Sequence, residues 1–290
     1  MPELPEVEVI RLFLEDKLLG LTIKKLEVFN PKSFIGNPKQ IINKKIIGFS
    51  RVGKQLSIFL DNGLVLLVHL KMTGQLIYSP LSSKGVPAER GILGHPTKDV
   101  FGNFPIKSTR LIFTFSNNSK LYFNDQRKFG WIKILTRNEL VESQKNLGLD
   151  IFNPEFTPQY LYSQLQRSSC PVKLVLLDQH FMSGIGNIYA NDALFLAKIH
   201  PQTPASSISR SKVLKLYSSL LSIMHQSVLS GGSTARDQIY LRPDGSVGKN
   251  QFSFQVYQRS GLPCLVCKTP IKCLKLAGRG TFYCPHCQVL

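Results

Sequence analysis

Gln55-Leu-Ser-Ile-Phe-Leu60, Asp61-Asn62-Gly63, Leu64-Val-Leu-Leu-Val-His-Leu70 is the stretch that decides the fold of the N-terminal half. Two β-favouring apolar runs meet at Asp-Asn-Gly, residue types that fit the tight turn of a hairpin. The segment reads strand, turn, strand. On its N-terminal side Leu21–Phe29 and Lys45–Arg51 are also β-rich. On its C-terminal side Arg110–Ser116 and Lys120–Asn124 form another hairpin around Ser116-Asn117-Asn118-Ser119. Ahead of all of these, Pro5 to Leu19 reads as a helix. Pro5 suits a first turn, Glu6 and Glu8 favour the N-terminal dipole, and Gly20 ends it. Val7, Ile10, Leu14 and Leu18 share one face of that helix, which docks it on a core. The first 135 residues therefore read as an antiparallel sandwich or barrel with a leading helix.

Beyond the strands the pattern changes. Residues 80–107 are rich in Gly, Pro and Ser and read as a long exposed loop, and 136–156 as a linker punctuated by Asn153-Pro154. Helices then follow: one from Thr157-Pro158, one over Val172–Gln179, and one over Ile188–Ala197. A long one is capped by Ser209 and runs to about Leu229, with Val213, Leu216, Leu220, Ile223 and Ser227 inward. Residues 231–254, with Gly231-Gly232-Ser233-Thr234 and Gly245, read as a polar loop region. The expected division is 2–135 for a β-sandwich, 136–156 for a linker, 157–235 for a helical domain and 255–290 for a cysteine module.

The chain has 290 residues, 43% of them hydrophobic, which is enough for two domains with sizeable cores. No apolar run approaches the ~18 residues of a membrane span. The N-terminus carries Pro2, Glu3, Pro5, Glu6 and Glu8 in place of a basic, then apolar, secretory signal. The cytoplasm is the expected location and no membrane partner is expected. Thirty-six basic residues against 18 acidic ones leave a net charge of +18, spread along the chain. A body this basic points to a polyanion, because each neutralised phosphate releases condensed counterions.

Cys264-x2-Cys267 and Cys284-x2-Cys287 are two knuckles separated by 16 residues. Four thiolates at this spacing fit one tetrahedral Zn2+. With all four positions taken by sulfur no site is open to water, so the metal is structural. Cys170 and Cys273 stand alone, and His286 inside the second knuckle is not needed as a ligand.

Met1-Pro2-Glu3 carries reactive chemistry. Removal of Met1 before the small Pro ring is the expected processing, and it leaves a secondary amine beside a carboxylate. An α-amino group has an ordinary pKa of about 8, so a useful fraction is nucleophilic near neutrality. Amines that attack a sugar or aldehyde carbon make Schiff bases, an established form of covalent catalysis.

Several segments together resemble one family. Met1-Pro2-Glu3-Leu4-Pro5-Glu6-Val7-Glu8, Arg51-Val-Gly-Lys54, His69-Leu-Lys-Met72-Thr-Gly74 and Asn124-Asp-Gln-Arg127-Lys-Phe129-Gly130 are similar to motifs of bacterial formamidopyrimidine-DNA glycosylases. So are Leu176-Leu-Asp-Gln179 through Gly184-Ile-Gly-Asn187-Ile-Tyr-Ala190, His200-Pro201, Gly231-Gly232-Ser233-Thr234 and Gly278-Arg279-Gly-Thr-Phe-Tyr-Cys284-Pro-His-Cys287. The match is collinear over nearly the whole chain.

The resemblance implies an α+β multidomain protein: an N-terminal β-sandwich with flanking helices, then a helix–two-turn–helix domain and a four-cysteine zinc finger. DNA lies in the cleft between. It implies excision of oxidised purines such as 8-oxoguanine and formamidopyrimidines from double-stranded DNA, followed by strand scission, by a monomer. By the same resemblance Pro2 is the nucleophile, Glu3 the acid/base, and Lys54 contacts phosphate or lesion and assists proton transfer. Arg279 grips the phosphates about the lesion and takes part in δ-elimination. Met72, Arg127 and Phe129 enter the duplex when the base is flipped out, and Asn187 contacts phosphate. Taken alone, Met72 and Phe129 read as core, Lys54 as a surface lysine and Asn187 as an N-cap.

The chain departs from the family at four places. Lys107-Ser108-Thr109-Arg110 stands where Lys-His-Asp-His is frequent, so Ser108 holds the place of a phosphate-contacting His. Asp192 stands where Glu is usual, the 80–107 segment does not resemble the usual one in length or content, and of the 231–254 loop only the first part, Gly231–Tyr240, matches well. The alternatives are a pyrimidine-directed relative of the endonuclease VIII type, against which Leu4 argues, and a non-catalytic zinc DNA-binding protein, which needs neither Pro2 nor Glu3.

Overall fold

The structure, a computed structural model, describes residues 1–80, the backbone of 91–94, and residues 104–232 and 254–290. Most of the 80–107 segment and of the 231–254 loop, including Ser233, Thr234 and Gly245, lies outside the described residues. The chain divides into two compact units, Met1–Lys145 with Ser230–Lys249 and Asn146–Leu229 with Asn250–Leu290.

In the first unit, α1 (Leu4–Leu18) is followed by β1 (Ile23–Val28), β2 (Phe34–Ile35), β3 (Ile46–Val52), β4 (Gln55–Leu60) and β5 (Leu64–His69). Then come β6 (Gly74–Ser79), β7 (Gly91–Gly94), β8 (Thr109–Phe115), β9 (Lys120–Asp125), β10 (Trp131–Thr136) and α2 (Arg137–Gln144). Two five-stranded sheets form, in the orders β1-β8-β9-β6-β7 and β2-β10-β5-β4-β3. All pairings are antiparallel except β2 with β10. Their inner faces interdigitate: Leu56, Ile58, Leu66 and Val68 of one sheet meet Leu76, Phe113, Leu121 and Phe123 of the other. The face Val7, Ile10, Leu14 and Leu18 of α1 joins the same core. Each such side chain contributes roughly 1.5–3 kcal/mol by leaving water.

Strand β5 explains why its sequence is continuously apolar. Leu66 and Val68 point into the sandwich, while Val65 and Leu67 pack with Leu135 and with Leu140 of α2. A strand covered on both faces has no reason to alternate. The segment 136–156, read as a linker, thus opens with a helix. Thr136 caps it, exchanging hydrogen bonds with Glu139. A second correction falls in 80–107, read as an exposed loop: Gly91–Gly94 pairs with β6. Four residues flanked by Gly give no alternation to read.

The second unit contains β11 (Leu149–Asp150), α3 (Pro158–Gln166), α4 (Val172–Leu177), β12 (Met182–Ser183), α5 (Asn187–Leu196) and α6 (Arg210–Leu229). It closes with the hairpin β13 (Lys272–Leu276) and β14 (Arg279–Tyr283). Thr157 caps α3 by accepting from the Tyr160 N–H. In α6 the inward stripe is Val213, Leu216, Leu220, Met224 and Ser227, so Met224 takes the place expected of Ile223. Helix α5 is buried along almost its whole length. Asp192 receives the N–H groups of Gln255, Val256 and Tyr257, each at 3.0 Å. Burial pushes the Asp192 carboxyl up to about 6 against the pull of these three donors.

Candidate functional site

The N-terminal pocket is built by the cap of α1. Glu3 stands at the N-cap and its own N–H donates to Glu6 Oε2 at 2.8 Å, one half of a capping box. Pro2 and Glu6 are buried, and Glu3 is only 4% exposed. Burial draws the amino terminus of Met1 below the ordinary amine range. Glu3 and Glu6 pull it back, and Lys54 adds to the lowering. Amine, carboxylates and lysine therefore share one electrostatic environment.

Lys54 reaches this place from a two-residue turn between β3 and β4. Gly53 opens the turn at φ 56°, the left-handed conformation that a II′ hairpin reserves for Gly. Lys54 is 8% exposed, which corrects the reading of a solvated surface lysine. Arg51 braces the turn, donating from Nη1 to Gly53 O at 3.0 Å and from Nε to Glu8 Oε2 at 2.8 Å. His69 also lies within reach of the Lys54 charge. Burial first, then Lys71 and Lys54, bring its pKa down to about 3. Its Nδ1 accepts the Lys71 N–H at 3.0 Å, which fixes the neutral tautomer with the proton on Nε2.

Met72 and Phe129 are 38% and 55% exposed, and Arg127, two residues before Phe129, is exposed as well. For two large apolar side chains this overturns the reading of core residues. They occupy the turns after β5 and after β9, which adjoin because β6 pairs with β9 through Gly74 and Asp125. The Arg127 guanidinium lies 4.9 Å from the Phe129 ring centroid. Gly74 is required here: a Cβ would sit 2.3 Å from Leu70 O. Ser108 is 5% exposed and its Oγ has no hydrogen-bond partner among the described residues. Ser108 immediately precedes β8, and its hydroxyl is buried there.

In the second unit Asn187 is the first residue of α5 and Gly186 its N-cap, so the reading of Asn187 as a cap is corrected. Its Nδ2 instead donates to Gly280 O at 3.1 Å, beside the exposed Arg279 on β14. Lys173, fully buried, donates to Gly280 O at 2.9 Å and to Thr281 Oγ1 at 2.7 Å. Asn191 Oδ1 accepts the Phe282 N–H at 2.8 Å. Arg279 and Asn187 are thus held on one scaffold.

The sulfur atoms of Cys264, Cys267, Cys284 and Cys287 all lie within 4.8 Å of one another. The Cys264–Cys287 and Cys267–Cys284 separations are 4.0 and 3.4 Å. A tetrahedral zinc with Zn–S bonds of ~2.3 Å needs sulfurs about 3.8 Å apart, so the cluster fits. Backbone N–H groups of Val266 and Cys287 point at Cys264 and Cys284 sulfurs, each at 3.4 Å, as knuckles require. The zinc is structural.

Sequence reading passed over Asp125, Thr73, Arg51 and Lys173. A lone Lys in the apolar run Val172–Leu177 was a legible signal, since Lys is almost never fully buried without partners. Asp125, 1% exposed, shows its role only once Thr73 is brought across from 52 residues away.

Comparisons with known proteins agree with this anatomy. Residues 1–132 match the formamidopyrimidine-DNA glycosylase N-terminal domain, 147–239 the formamidopyrimidine-DNA glycosylase H2TH domain, and 261–289 the zinc finger found in FPG and IleRS. The chain is 36% identical over 296 residues to the formamidopyrimidine-DNA glycosylase of Pelotomaculum thermopropionicum, covering 99% of each. To that of Wolbachia sp. subsp. Brugia malayi it is 35% identical, covering 99% of this chain and 100% of the relative. Lactococcus lactis Fpg in complex with abasic-site DNA superposes with a TM-score of 0.85 at 30% identity, covering 99% and 100% of the two chains. The MutM (Fpg) protein of Thermus thermophilus gives 0.84 at 34% identity, covering 99% and 98%. The chain belongs to the formamidopyrimidine-DNA glycosylase family of base-excision DNA glycosylases.

Proposed function

We propose that the chain removes oxidised purines, 8-oxoguanine and formamidopyrimidines, from double-stranded DNA through a covalent intermediate on Pro2 and then nicks the strand. The observation that carries this reading is the buried environment shared by the amino terminus, Glu3 and Lys54. Removal of Met1 makes the Pro2 nitrogen the terminal amine. That amine attacks C1′ of the damaged nucleotide, the C1′–N9 bond breaks, and the base departs with a proton. Glu3 protonates the ring oxygen as the sugar opens, and the nitrogen lone pair completes an iminium. The iminium withdraws electrons, so loss of a C2′ proton expels the 3′ phosphate and a second elimination expels the 5′ phosphate. Lys54 assists these proton transfers, and Arg279 steadies the phosphates about the lesion through the δ step.

Met72, Arg127 and Phe129 fill the gap left by the flipped base, offsetting an unstacking cost of a few kcal/mol. Asn187, at the start of α5, contributes a phosphate contact. The net charge of +18 supports a DNA partner, and action as a monomer in the cytoplasm belongs to the same reading. No described helix is long and apolar enough to cross a membrane.

The test mixes protein of confirmed N-terminal sequence with an 8-oxoguanine:cytosine duplex and borohydride. A covalent adduct on Pro2 is expected, and none from chain that retains Met1. Chain starting at Pro2 that binds and traps nothing refutes the catalytic reading. Faster excision from an oxidised-pyrimidine duplex refutes the substrate.

A further inference from the structure

We infer that Asp125 is the positioning residue that sets the duplex-entering trio, by fastening the turn that carries Met72 to the turn that carries Arg127 and Phe129. The inference rests on the proposed reading that these three side chains invade the base stack.

The geometry is specific. The Asp125 carboxylate is 1% exposed at the end of β9. Its Oδ1 accepts a short hydrogen bond from the Thr73 hydroxyl, which lies next to Met72. The same Oδ1 accepts the Arg127 N–H at 3.1 Å, and Oδ2 accepts the Gly130 N–H at 2.6 Å, next to Phe129. Thr73 Oγ1 accepts from the Arg127 N–H as well, at 3.1 Å, closing a three-membered network. From below, Arg110 Nε donates to the Asp125 carbonyl at 2.8 Å, and the Asp125 N–H donates to Ser108 O at 2.9 Å. One buried carboxylate thus answers a hydroxyl and two backbone N–H groups from two turns about fifty residues apart in sequence. Hydrogen bonds to a buried charge are the strong ones, and a donor left facing another donor is costly.

Side chains that must enter a stack from exposed turns gain from such a brace. The wedge has to be in place before the base leaves, since apolar residues free to collapse on the surface would refill the gap slowly. Asp125 touches no reacting atom in this role. Replacing it with Asn keeps its shape. If the Asn oxygen serves Thr73 and Arg127, its NH2 faces the Gly130 N–H, and the reverse orientation fails Thr73 and Arg127.

The experiment compares wild type, Asp125→Asn and Thr73→Val on two substrates. One is an 8-oxoguanine:cytosine duplex with 2-aminopurine next to the lesion, whose fluorescence rises as stacking is lost. The other is single-stranded DNA with an abasic site, which has no stack to invade. Asp125→Asn is expected to slow both the fluorescence rise and duplex excision about tenfold or more. Elimination at the single-stranded abasic site stays within about twofold of wild type. Thr73→Val, which leaves Asp125 bonded to both backbone N–H groups, gives a smaller loss of the same kind. Equal losses on both substrates, or a duplex rate unchanged in Asp125→Asn, overturn the inference. A wild type that excises without any fluorescence rise overturns the wedge reading and the inference with it.

Discussion

Arg51 and Glu8 form an ion pair at 2.8 Å that ties the turn presenting Lys54 to the helix whose cap is Glu3. Arg51 is nearly fully buried, and Glu8 also receives Arg11 at 2.8 Å. Lys54 and the amino terminus come from separate elements, and this pair fixes one against the other.

Burial alone would raise the Glu8 carboxyl, but hydrogen bonds from Arg11 and Arg51, with their charges, outweigh it and hold it below the usual carboxylate range. A depressed carboxyl pKa gives stability that is present above the unfolded value, 4.5, and lost as pH falls through the lower folded value. Thermal melting should therefore drop below about pH 4.5 more steeply in wild type than in Glu8→Gln. At neutral pH the variant should cost about 1–3 kcal/mol and slow borohydride trapping more than it weakens DNA binding.

His69 acts in a different window. Its pKa falls from 6.5 unfolded to about 3 folded, so the unfolded chain binds the proton first. Stability is full above pH 6.5 and declines as pH falls from there towards 3. The imidazole should stay neutral at pH 5 by NMR titration, and His69→Gln should flatten the slope of stability between pH 6.5 and 4.5. A ring titrating near 6.5 contradicts the burial.

Gly74→Ala tests the close approach at the Met72 turn. The new Cβ would meet Leu70 backbone atoms at 2.3–2.9 Å, which no rotamer relieves. A destabilisation of at least about 1–3 kcal/mol is expected in denaturant melts, with duplex excision falling further than single-strand elimination.

Metal analysis should find about one zinc per chain, lost in Cys264→Ala. Near-UV signals from the β-sandwich should persist in that variant, because none of its core residues belongs to the cysteine cluster. DNA binding should weaken and lose part of its salt dependence as Arg279 loses its scaffold.

Much of this was legible in the residues. The face of α1 and the hairpin of β4 and β5 follow from period and turn chemistry. The four cysteines read as zinc from spacing alone. The strands β6 and β10 did not stand out, and α6 shows why phase is hard to read. Ile223 and Met224 are both apolar, and only packing selects the second. At the site, Pro2 and Glu3 were readable as chemistry. Met72 and Phe129 were singled out only through the family resemblance, because taken alone an apolar residue reads as core until the turn that exposes it is known. Asp125 was hidden for the converse reason: an acid reads as solvated, and its burial comes from a partner on a distant turn.

The terminal hairpin and its flanks are fastened to the helices at many points. Residues 255–257 hang from Asp192, Phe282 from Asn191, and Gly280 from Asn187 and Lys173. Gln288 donates to Ile199 O at 2.8 Å. The cysteine module is therefore not a portable cassette. A chimera cut at residue 255 would carry the metal but leave behind Lys173, Asn187, Asn191, Asp192 and Ile199, which anchor it. To transplant this grip intact, the graft must begin upstream of Lys173 and take α4 and α5 along.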